Sequence, residues 1–285
     1  MKSKMIWFIE FLLLVVPLSP SFPLIAQEDR DIRRKFATFD QLRPGPKKQP
    51  SKKKALPRNT TIGITLWKLR PPQPGEAANL AGLVSERIPF STLVEPQDRL
   101  RLTIEAPQTG YVYLFTQEQY RDGSRGVPYL LFPSSRIRQG AHFLQAGKLI
   151  GLPGLGDRPP YFELEQSRVD HVAEFITVMC LPKPVPELTP TREPFPVSTD
   201  FLKKLASQIQ GNQIQFQSDT GGKYTPLEAA AEQGTSSRGL KLGDPLPTSL
   251  FEVDRADGIC ISFQLKFNPQ SSGPGTQPSP ASSRR

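Results

Sequence analysis

The residue types that most often bind metals or act as bases and nucleophiles are scarce in this chain. It contains two histidines, His142 and His171, and two cysteines, Cys180 and Cys260. A metal site or a general base needs several such side chains to converge, and the sequence has neither an H-E-x-x-H motif nor paired C-x-x-C motifs. We therefore expect both histidines at loop edges or on the surface, and we predict no catalytic, cofactor-binding or metal-ligating residue.

The glycine-rich run GLPGLG at residues 151–156 is the nearest approach to a phosphate-binding loop. Such a loop leads from a strand into the N-terminus of a helix, but this run contains Pro153 and continues into DRPP. The G-x-S-x-G motif of serine hydrolases is absent, and the similar run GSRG at residues 123–126 is better explained as a hairpin turn. Neither run indicates nucleotide binding or hydrolysis.

Five aromatic residues around a predicted hairpin are a candidate for a ligand-binding surface. Their rings would suit a sugar or a peptide, because alternation along a strand can leave one of its faces partly exposed. The alternative is that they fill a hydrophobic core. The candidate binding platform consists of Tyr111, Tyr113, Phe115, Tyr129 and Phe132.

The two cysteines lie in strand-like segments, FITVMCL and ICISFQLKF, and a disulfide between them would suit an exported protein. Pairing of Cys180 with Cys260 requires close Cα atoms and facing Cβ atoms, which sequence spacing does not determine. A possible disulfide and two separate thiols therefore both remain open.

The elements that must position these residues are mainly β-strands. Residues 110–134 contain two apolar, aromatic-rich runs around a polar turn with Asp122-Gly123, a pattern typical of a β-hairpin. The segments TIGITLWKL and DRLRLTIE alternate between apolar and polar residues, as half-buried strands do. Short strands separated by turn signals predict an antiparallel β-sandwich-like domain over residues 60–184.

Residues 185–268 predict a C-terminal extension that packs on the same core and contains one or two short helices. Ser198 or Thr199 can cap the first helix, and the TPLE sequence at residues 225–228 is a capping box for the second. A final strand should then join the core, with residues 61–69 as its simplest neighbour. Its alternating apolar residues are Ile259, Ile261, Phe263, Leu265 and Phe267.

The two ends of the chain have the most biased compositions. Residues 1–26 have the basic start, apolar run and small residues of a cleaved secretory signal, with an uncleaved membrane anchor as the alternative. Residues 27–59 are predicted to be a basic, disordered linker; residues 28–58 hold eleven basic and four acidic side chains, in a chain of net charge +9. Residues 269–285 predict a disordered tail. We therefore expect an exported protein, periplasmic or extracellular.

One bacterial family shows a similar succession of motifs. The strand-embedded GYVY at residues 110–113, followed by LLFP, the turn Gln139-Gly140, LIGLP and DRPPYFEL, resembles the family called domain of unknown function 4384. The resemblance covers residues 63 to about 184. It implies a β-sandwich-like module found in exported or multidomain bacterial proteins, and it implies no assigned activity and no catalytic residues.

Taken with the composition, these patterns favour a non-enzymatic binding or scaffolding module whose partner is an envelope protein or polymer. We expect no cofactor, no specific nucleic acid, and contact with a membrane only through an uncleaved signal. Two alternatives remain. An envelope hydrolase would need a concave pocket in which Asp, Glu, His or Ser side chains from loops converge. Polyanion binding through the basic linker would depend steeply on salt.

Overall fold

The computed structural model describes residues 24–43, 60–78, 82–105, 108–209, 211–218, 221–233, 243–254 and 258–269. The helices in these ranges are α1 (Leu24–Leu42), α2 (Thr199–Ile209) and α3 (Pro226–Glu232). The strands are β1 (Thr60–Arg70), β2 (Val84–Ile88), β3 (Arg99–Glu105), β4 (Gly110–Tyr120), β5 (Tyr129–Phe132), β6 (Phe143–Leu144), β7 (Leu149–Leu152), β8 (Phe162–Glu163), β9 (His171–Leu181), β10 (Phe195–Pro196), β11 (Gln213–Gln217), β12 (Ser249–Val253) and β13 (Ile259–Lys266).

These strands form two antiparallel sheets, so the prediction of a mainly β, antiparallel sandwich-like fold is confirmed. The first sheet has the order β11-β12-β1-β3-β7, with β2 paired to β1 and β8 paired to β3. The second sheet has the order β10-β5-β4-β9-β13, with β6 paired to β4. Apolar side chains from both sheets form one hydrophobic core between them.

Alternation along each strand determines which side chains enter that core. In β1, Ile64 and Leu66 are buried between the sheets, whereas Trp67 is buried on the opposite face of the first sheet. The indole Nε1–H of Trp67 donates a hydrogen bond of 3.0 Å to Thr103 Oγ1, and the Arg87 guanidinium lies over the indole ring. The first sheet is therefore covered on both faces.

The predicted hairpin is formed by β4 and β5, with Leu114 opposite Phe132 across the two strands. In the turn, the Asp122 carboxylate accepts hydrogen bonds from the backbone N–H and the hydroxyl of Ser124. Gly123 adopts a φ of +84°, a conformation that glycine adopts without steric cost. The turn residues read from the sequence therefore close the hairpin in the way their chemistry indicates.

The last strand, β13, contributes its alternating apolar side chains to the same core as Leu114 and Phe132. It pairs with β9, and Phe263 lies opposite Ile176. The structure corrects the expected pairing with residues 61–69, because β12 occupies that position beside β1. Alternation specifies which face of a strand is buried, and it does not specify which strand lies next to it.

The two short helices of the C-terminal extension cover outer faces of the sandwich. Phe201, Leu205 and Ile209 of α2 pack on an apolar cluster on the outer face of the second sheet. Helix α3 begins with the predicted capping box, in which the Thr225 hydroxyl accepts from the Glu228 backbone and the Glu228 carboxylate accepts from the Thr225 N–H.

Helix α1 corrects the first part of the predicted linker, because residues 27–42 are helical and not disordered. Ile32, Phe36 and Phe39 recur at helical spacing, and they pack on a cluster that includes Leu250. The high charge of the segment hid this apolar face. The rest of the predicted linker, residues 44–59, lies outside the described residues, as do residues 1–23 of the predicted signal and residues 270–285 of the predicted tail.

A buried ion pair fixes the end of α1. The Arg43 guanidinium donates to both carboxylate oxygens of Glu105, at 2.9 and 2.8 Å, and its side chain is 1% exposed. It also donates to the carbonyl oxygens of Asp244 and Pro245. Hydrogen bonding to Glu105 raises the pKa of Arg43 despite the opposing effect of burial. Helix α1 is therefore part of the folded unit.

Candidate functional site

A cavity of about 370 Å³ opens between the two sheets. Its exposed lining residues, Glu163 at the end of β8 and Glu165 and Ser167 in the loop after it, mark its mouth. Its lining is mostly apolar, and the polar or charged lining residues are Arg101, Thr116, Glu118, Glu163, Glu165, Ser167 and Glu174. The apolar lining residues are Leu66, Leu100, Leu102, Leu114, Leu131, Phe162, Leu164, Ile176, Pro194, Phe263 and Leu265.

Three ionisable side chains converge beside this cavity: Glu118 of β4 and His171 and Glu174 of β9. Glu118 and Glu174 lie directly opposite each other across the two strands, and both carboxylates line the cavity. One oxygen or nitrogen from each of the three side chains lies within 4.8 Å of the others. We call Glu118, His171 and Glu174 the carboxylate–histidine cluster.

A β-bulge brings the histidine into this cluster. In a regular strand, side chains three residues apart point to opposite faces, so His171 and Glu174 would be separated. The register between β4 and β9 shifts between Gln119 and Tyr120, and Tyr120 is paired with His171. The extra residue in β9 turns the imidazole toward the two glutamates, as bulges commonly do beside functional sites.

Backbone contacts identify the tautomer of His171. Its Nδ1 accepts a hydrogen bond of 3.4 Å from the Ser167 N–H, which leaves Nε2 as the protonated nitrogen. Nε2–H donates to the Ala173 carbonyl oxygen at 3.1 Å and lies 3.3 Å from a Glu174 oxygen. Burial lowers the pKa of His171 in spite of the nearby Glu118 carboxylate, so the imidazole is neutral near pH 7.

The Glu174 carboxylate is buried without a cationic partner. Desolvation raises its pKa to about 7, and the nearby Glu118 charge acts in the same direction. The Thr116 hydroxyl opposes this by donating a hydrogen bond of 2.5 Å to Glu174 Oε2. In the described part of the chain, no Lys or Arg nitrogen lies within 4.0 Å of the Glu118 or Glu174 carboxylate.

Glu118 is held in place by a second hydroxyl. The Tyr120 phenol donates a hydrogen bond of 2.5 Å to Glu118 Oε2, and this bond raises the pKa of Tyr120. The Glu118 side chain is 31% exposed, whereas that of Glu174 is 11% exposed and that of His171 is fully buried. The cluster therefore extends from solvent to the interior along the mouth of the cavity.

The glycine-rich run GLPGLG holds an anion that belongs to the protein itself. The Leu155 N–H donates a hydrogen bond of 2.9 Å to Glu232 Oε1. Glu232 Oε2 accepts from Arg101 Nη2 and from the Tyr224 hydroxyl, both at 2.5 Å. A Cβ on Gly151 would clash with the Glu232 carboxylate and the Arg101 guanidinium, which explains why this position lacks a side chain. The run serves to anchor α3 to the first sheet.

The five aromatic residues of the candidate platform do not form an exposed surface, which corrects that prediction. Phe132 is buried in the core between the sheets, and Tyr113 and Phe115 are buried on the outer face of the second sheet beneath α2. Tyr111 is half-buried, and Tyr129 alone of the five is exposed, at 42%. The C-terminal extension covers the outer face of the second sheet. Most of these rings are therefore packed in a core, which is the alternative given above.

The two cysteines are free thiols, so of the two alternatives left open by the sequence, the structure has the two separate thiols and not the disulfide. Cys180 lies opposite Ile259, and Cys260 lies opposite Met179, on the paired strands β9 and β13. This offset of one residue points the two side chains to opposite faces of the sheet, Cys180 into the core and Cys260 outward. Burial raises the pKa of each thiol to about 11.

The two histidines occupy different surroundings. His142 is half-buried, its Nδ1 lies 3.0 Å from the Gly140 carbonyl oxygen, and its ring packs against Tyr111 and Tyr113. The expectation of a loop-edge or surface position suits it, whereas His171 is fully buried.

Sequence reasoning missed the carboxylate–histidine cluster although a signal for it was present. The inward-facing positions of β4 continue from Val112 and Leu114 to Glu118, and those of β9 run from Cys180 back to Glu174. A glutamate in the inward phase of both strands is a polar group where a core residue is expected. The register that places them opposite each other requires the structure.

Comparisons with known proteins do not identify the chain: no family model, no curated protein and no solved structure matches it. The resemblance to domain of unknown function 4384 therefore stays a prediction. Among the described helices, none is long and apolar enough to cross a membrane.

Proposed function

We propose that this protein is a non-enzymatic binding module that holds the apolar part of a small amphipathic molecule between its two sheets. The single observation that supports this function most is the 370 Å³ cavity, whose lining is mostly apolar and includes the Glu118 and Glu174 carboxylates. Ligand pockets of this kind are typically apolar, with a few polar groups that orient the ligand.

The carboxylate–histidine cluster would contact the polar end of such a ligand. Glu118 and Glu174 border the cavity, and Thr116 is the hydrogen-bonding residue next to them. In the metal-free protein these acids favour a headgroup that donates hydrogen bonds or carries a positive charge, and they disfavour a carboxylate. Decylamine should therefore bind more tightly than decanoate.

An apolar fluorescent dye, N-phenyl-1-naphthylamine, provides the test. The full chain should bind the dye saturably at one site, with brighter emission because the ring leaves water. Leu131, a half-buried residue of the cavity wall, is the position to block. The Leu131→Trp variant should bind the dye at least ten-fold more weakly, because the larger ring fills the space.

The matched control is Leu93→Trp, which adds the same ring at an exposed leucine outside the cavity. It should bind the dye like the wild type. Absence of saturable binding by the wild type, or equal binding by Leu131→Trp at an unchanged thermal midpoint, would contradict the proposal. Displacement of the dye by decylamine and by decanoate then ranks the headgroups.

A second candidate function, hydrolysis, is favoured by the convergence of the three ionisable side chains beside a concave pocket. Such convergence is what an enzyme with acid–base residues requires. The Glu174→Gln variant separates the two functions, because it should abolish turnover of any hydrolysed substrate and leave binding of the neutral dye intact. The polyanion-binding alternative rests largely on residues 44–59, which lie outside the described residues.

The cellular setting of this module is part of the proposal. The basic start and apolar run of residues 1–26 support export, and the resemblance to domain of unknown function 4384 supports a bacterial envelope module. An envelope protein or polymer stays the expected partner. N-terminal sequencing of exported material tests this, with a mature end near Gln27 or Glu28 as the expected result and an intact Met1 end as the contrary one.

A further inference from the structure

We propose that Glu118, His171 and Glu174 form a binding site for a divalent transition-metal cation, with zinc as the best chemical match. The proposal goes beyond ligand binding in the cavity, and its test uses no apolar ligand. It starts from the geometry, in which one donor atom from each of the three side chains lies within 4.8 Å of the others.

The donor set favours zinc over the hard cations. Zinc binds imidazole nitrogen and carboxylate oxygen, and sites with three protein ligands keep a fourth position open. Calcium requires six to eight oxygen ligands, and magnesium demands near-octahedral oxygen coordination. One imidazole and two carboxylates supply too few oxygens for either, and the fourth position would suit a water molecule or a ligand atom.

Each proposed ligand already has the partner that would orient it. His171 Nε2–H donates to the Ala173 carbonyl oxygen, an arrangement that fixes the tautomer and presents Nδ1 as the metal-binding atom. Nδ1 lies 3.9 Å from Glu118 Oε1, and its contact with the Ser167 N–H is long at 3.4 Å. A bound cation would replace that weak contact.

The two glutamates are oriented by hydroxyl groups in the same way. Tyr120 donates to Glu118 Oε2 and Thr116 donates to Glu174 Oε2, both at 2.5 Å. In each case the other oxygen, Oε1, lies nearest His171, but at different ring nitrogens: Glu118 Oε1 is 3.9 Å from Nδ1, and Glu174 Oε1 is 3.3 Å from Nε2. A cation bound to Nδ1 therefore requires the Glu174 carboxylate to turn toward that nitrogen. Partners of this kind, outside the metal ligands themselves, are characteristic of metal sites.

The arrangement is electrostatically unfavourable without a cation. Like charges directly opposite each other on paired strands are destabilising, and Glu118 and Glu174 occupy such positions. Among the described residues, His171 is the only basic side chain within 4.0 Å of either carboxylate. A dication would compensate both carboxylates, and the partly exposed Glu118 provides a path from solvent.

The experiment is calorimetric titration of the full chain with zinc after treatment with a chelator. We expect one zinc per chain, with Glu118→Gln and Glu174→Gln each lowering the affinity at least ten-fold. Glu118→Gln is the decisive variant, because the Glu118 side chain is partly exposed and its replacement should not affect folding. A thermal melt of each metal-free variant verifies the fold, and Thr116→Val should lower the affinity by a smaller factor.

The matched control is Glu163→Gln, which removes an exposed carboxylate at the same cavity mouth but outside the cluster. It should bind zinc with wild-type affinity, as should His142→Asn. Equal loss in Glu163→Gln would indicate nonspecific attraction to the acidic mouth and overturn the proposal. Undiminished affinity in both Glu118→Gln and Glu174→Gln, or absence of stoichiometric binding by the wild type below about 100 μM zinc, would overturn it as well.

Discussion

Two of the buried glutamates of this protein, Glu232 and Glu174, differ in whether a cation lies beside the carboxylate. Glu232 accepts hydrogen bonds from Arg101, Tyr224 and the Leu155 backbone, so its charge has a buried cation beside it. Glu174 accepts from the Thr116 hydroxyl and faces a second glutamate, Glu118. Both are nearly inaccessible to solvent.

The difference indicates which region is structural and which is available for a ligand. An ion pair with additional hydrogen bonds offsets much of the cost of removing a carboxylate from water. The buried charge of Glu232 is therefore compensated by its partners, and this group of residues joins α3 to the first sheet. The Glu174 region, in contrast, keeps an uncompensated cost beside an apolar cavity, which is where a bound cation or headgroup would contribute binding energy.

The largest expected effect on stability comes from removing the cation beside the buried Glu232 carboxylate. Arg101→Met removes the cation and leaves Glu232 buried without it, which should lower the free energy of unfolding by about 3–5 kcal/mol. Urea denaturation measures this change. The double variant Arg101→Met with Glu232→Gln should recover a large part of the loss. A loss below about 1 kcal/mol would show that Glu232 does not depend on this partner.

A second buried ion pair, Arg43 with Glu105, tests whether charge compensation also holds α1 on the sandwich. Arg43→Met leaves Glu105 buried without its partner and should cost about 3 kcal/mol, whereas a linker that was dispensable for folding would leave stability unchanged. Arg33→Met is the control, because Arg33 pairs with Asp29 on the exposed side of α1 and should cost less than about 0.5 kcal/mol. Equal effects of the two variants in urea denaturation would show that α1 does not dock.

A smaller effect on stability is expected where Gly151 packs closely against the Arg101–Glu232 ion pair. Gly151→Ala places a methyl group against the Glu232 carboxylate and the Arg101 guanidinium, and it should cost about 1–3 kcal/mol. Gly156→Ala, in the same loop with open space around it, should have little effect. Thermal unfolding of both variants compares them directly, and a wild-type midpoint for Gly151→Ala would mean that the loop can move away.

The smallest expected effect on stability, and the one whose sign is most informative, comes from the facing carboxylates of Glu118 and Glu174. Glu174→Gln removes one of two facing carboxylates, so the metal-free protein at pH 8 should become more stable, by up to about 1 kcal/mol. The isosteric amide can still accept a hydrogen bond from Thr116. Urea denaturation in the presence of a chelator provides the measurement. A loss of more than about 1 kcal/mol would place Glu174 with the structural carboxylates.

The fold was largely accessible from the sequence because alternation and turn chemistry are local. The Asp122-Gly123 turn, the capping box at Thr225 and the apolar face of β13 each depend on neighbours within a few residues. The neighbour of β13 was not accessible in this way, since pairing with β9 depends on the whole sheet. The apolar stripe of α1 was local, but the basic composition around it concealed the pattern.

The site was less accessible because it depends on register. Glu118 and Glu174 are 56 positions apart, and a bulge in β9, between His171 and Ala173, is needed to bring His171 to them. The aromatic residues offered a stronger signal in the sequence, but the extension that covers Tyr113 and Phe115 comes much later in the chain. Exposure of a strand face cannot be judged before its covering elements are placed.

Anomalous diffraction from crystals of the full chain grown with zinc tests the central claim most directly, namely that the unbalanced carboxylates are the binding site. Data collected on both sides of the zinc absorption edge should show an anomalous difference peak about 2.0–2.2 Å from His171 Nδ1 and from one oxygen each of Glu118 and Glu174. A zinc peak elsewhere on the chain, with none between these three side chains, would contradict the account.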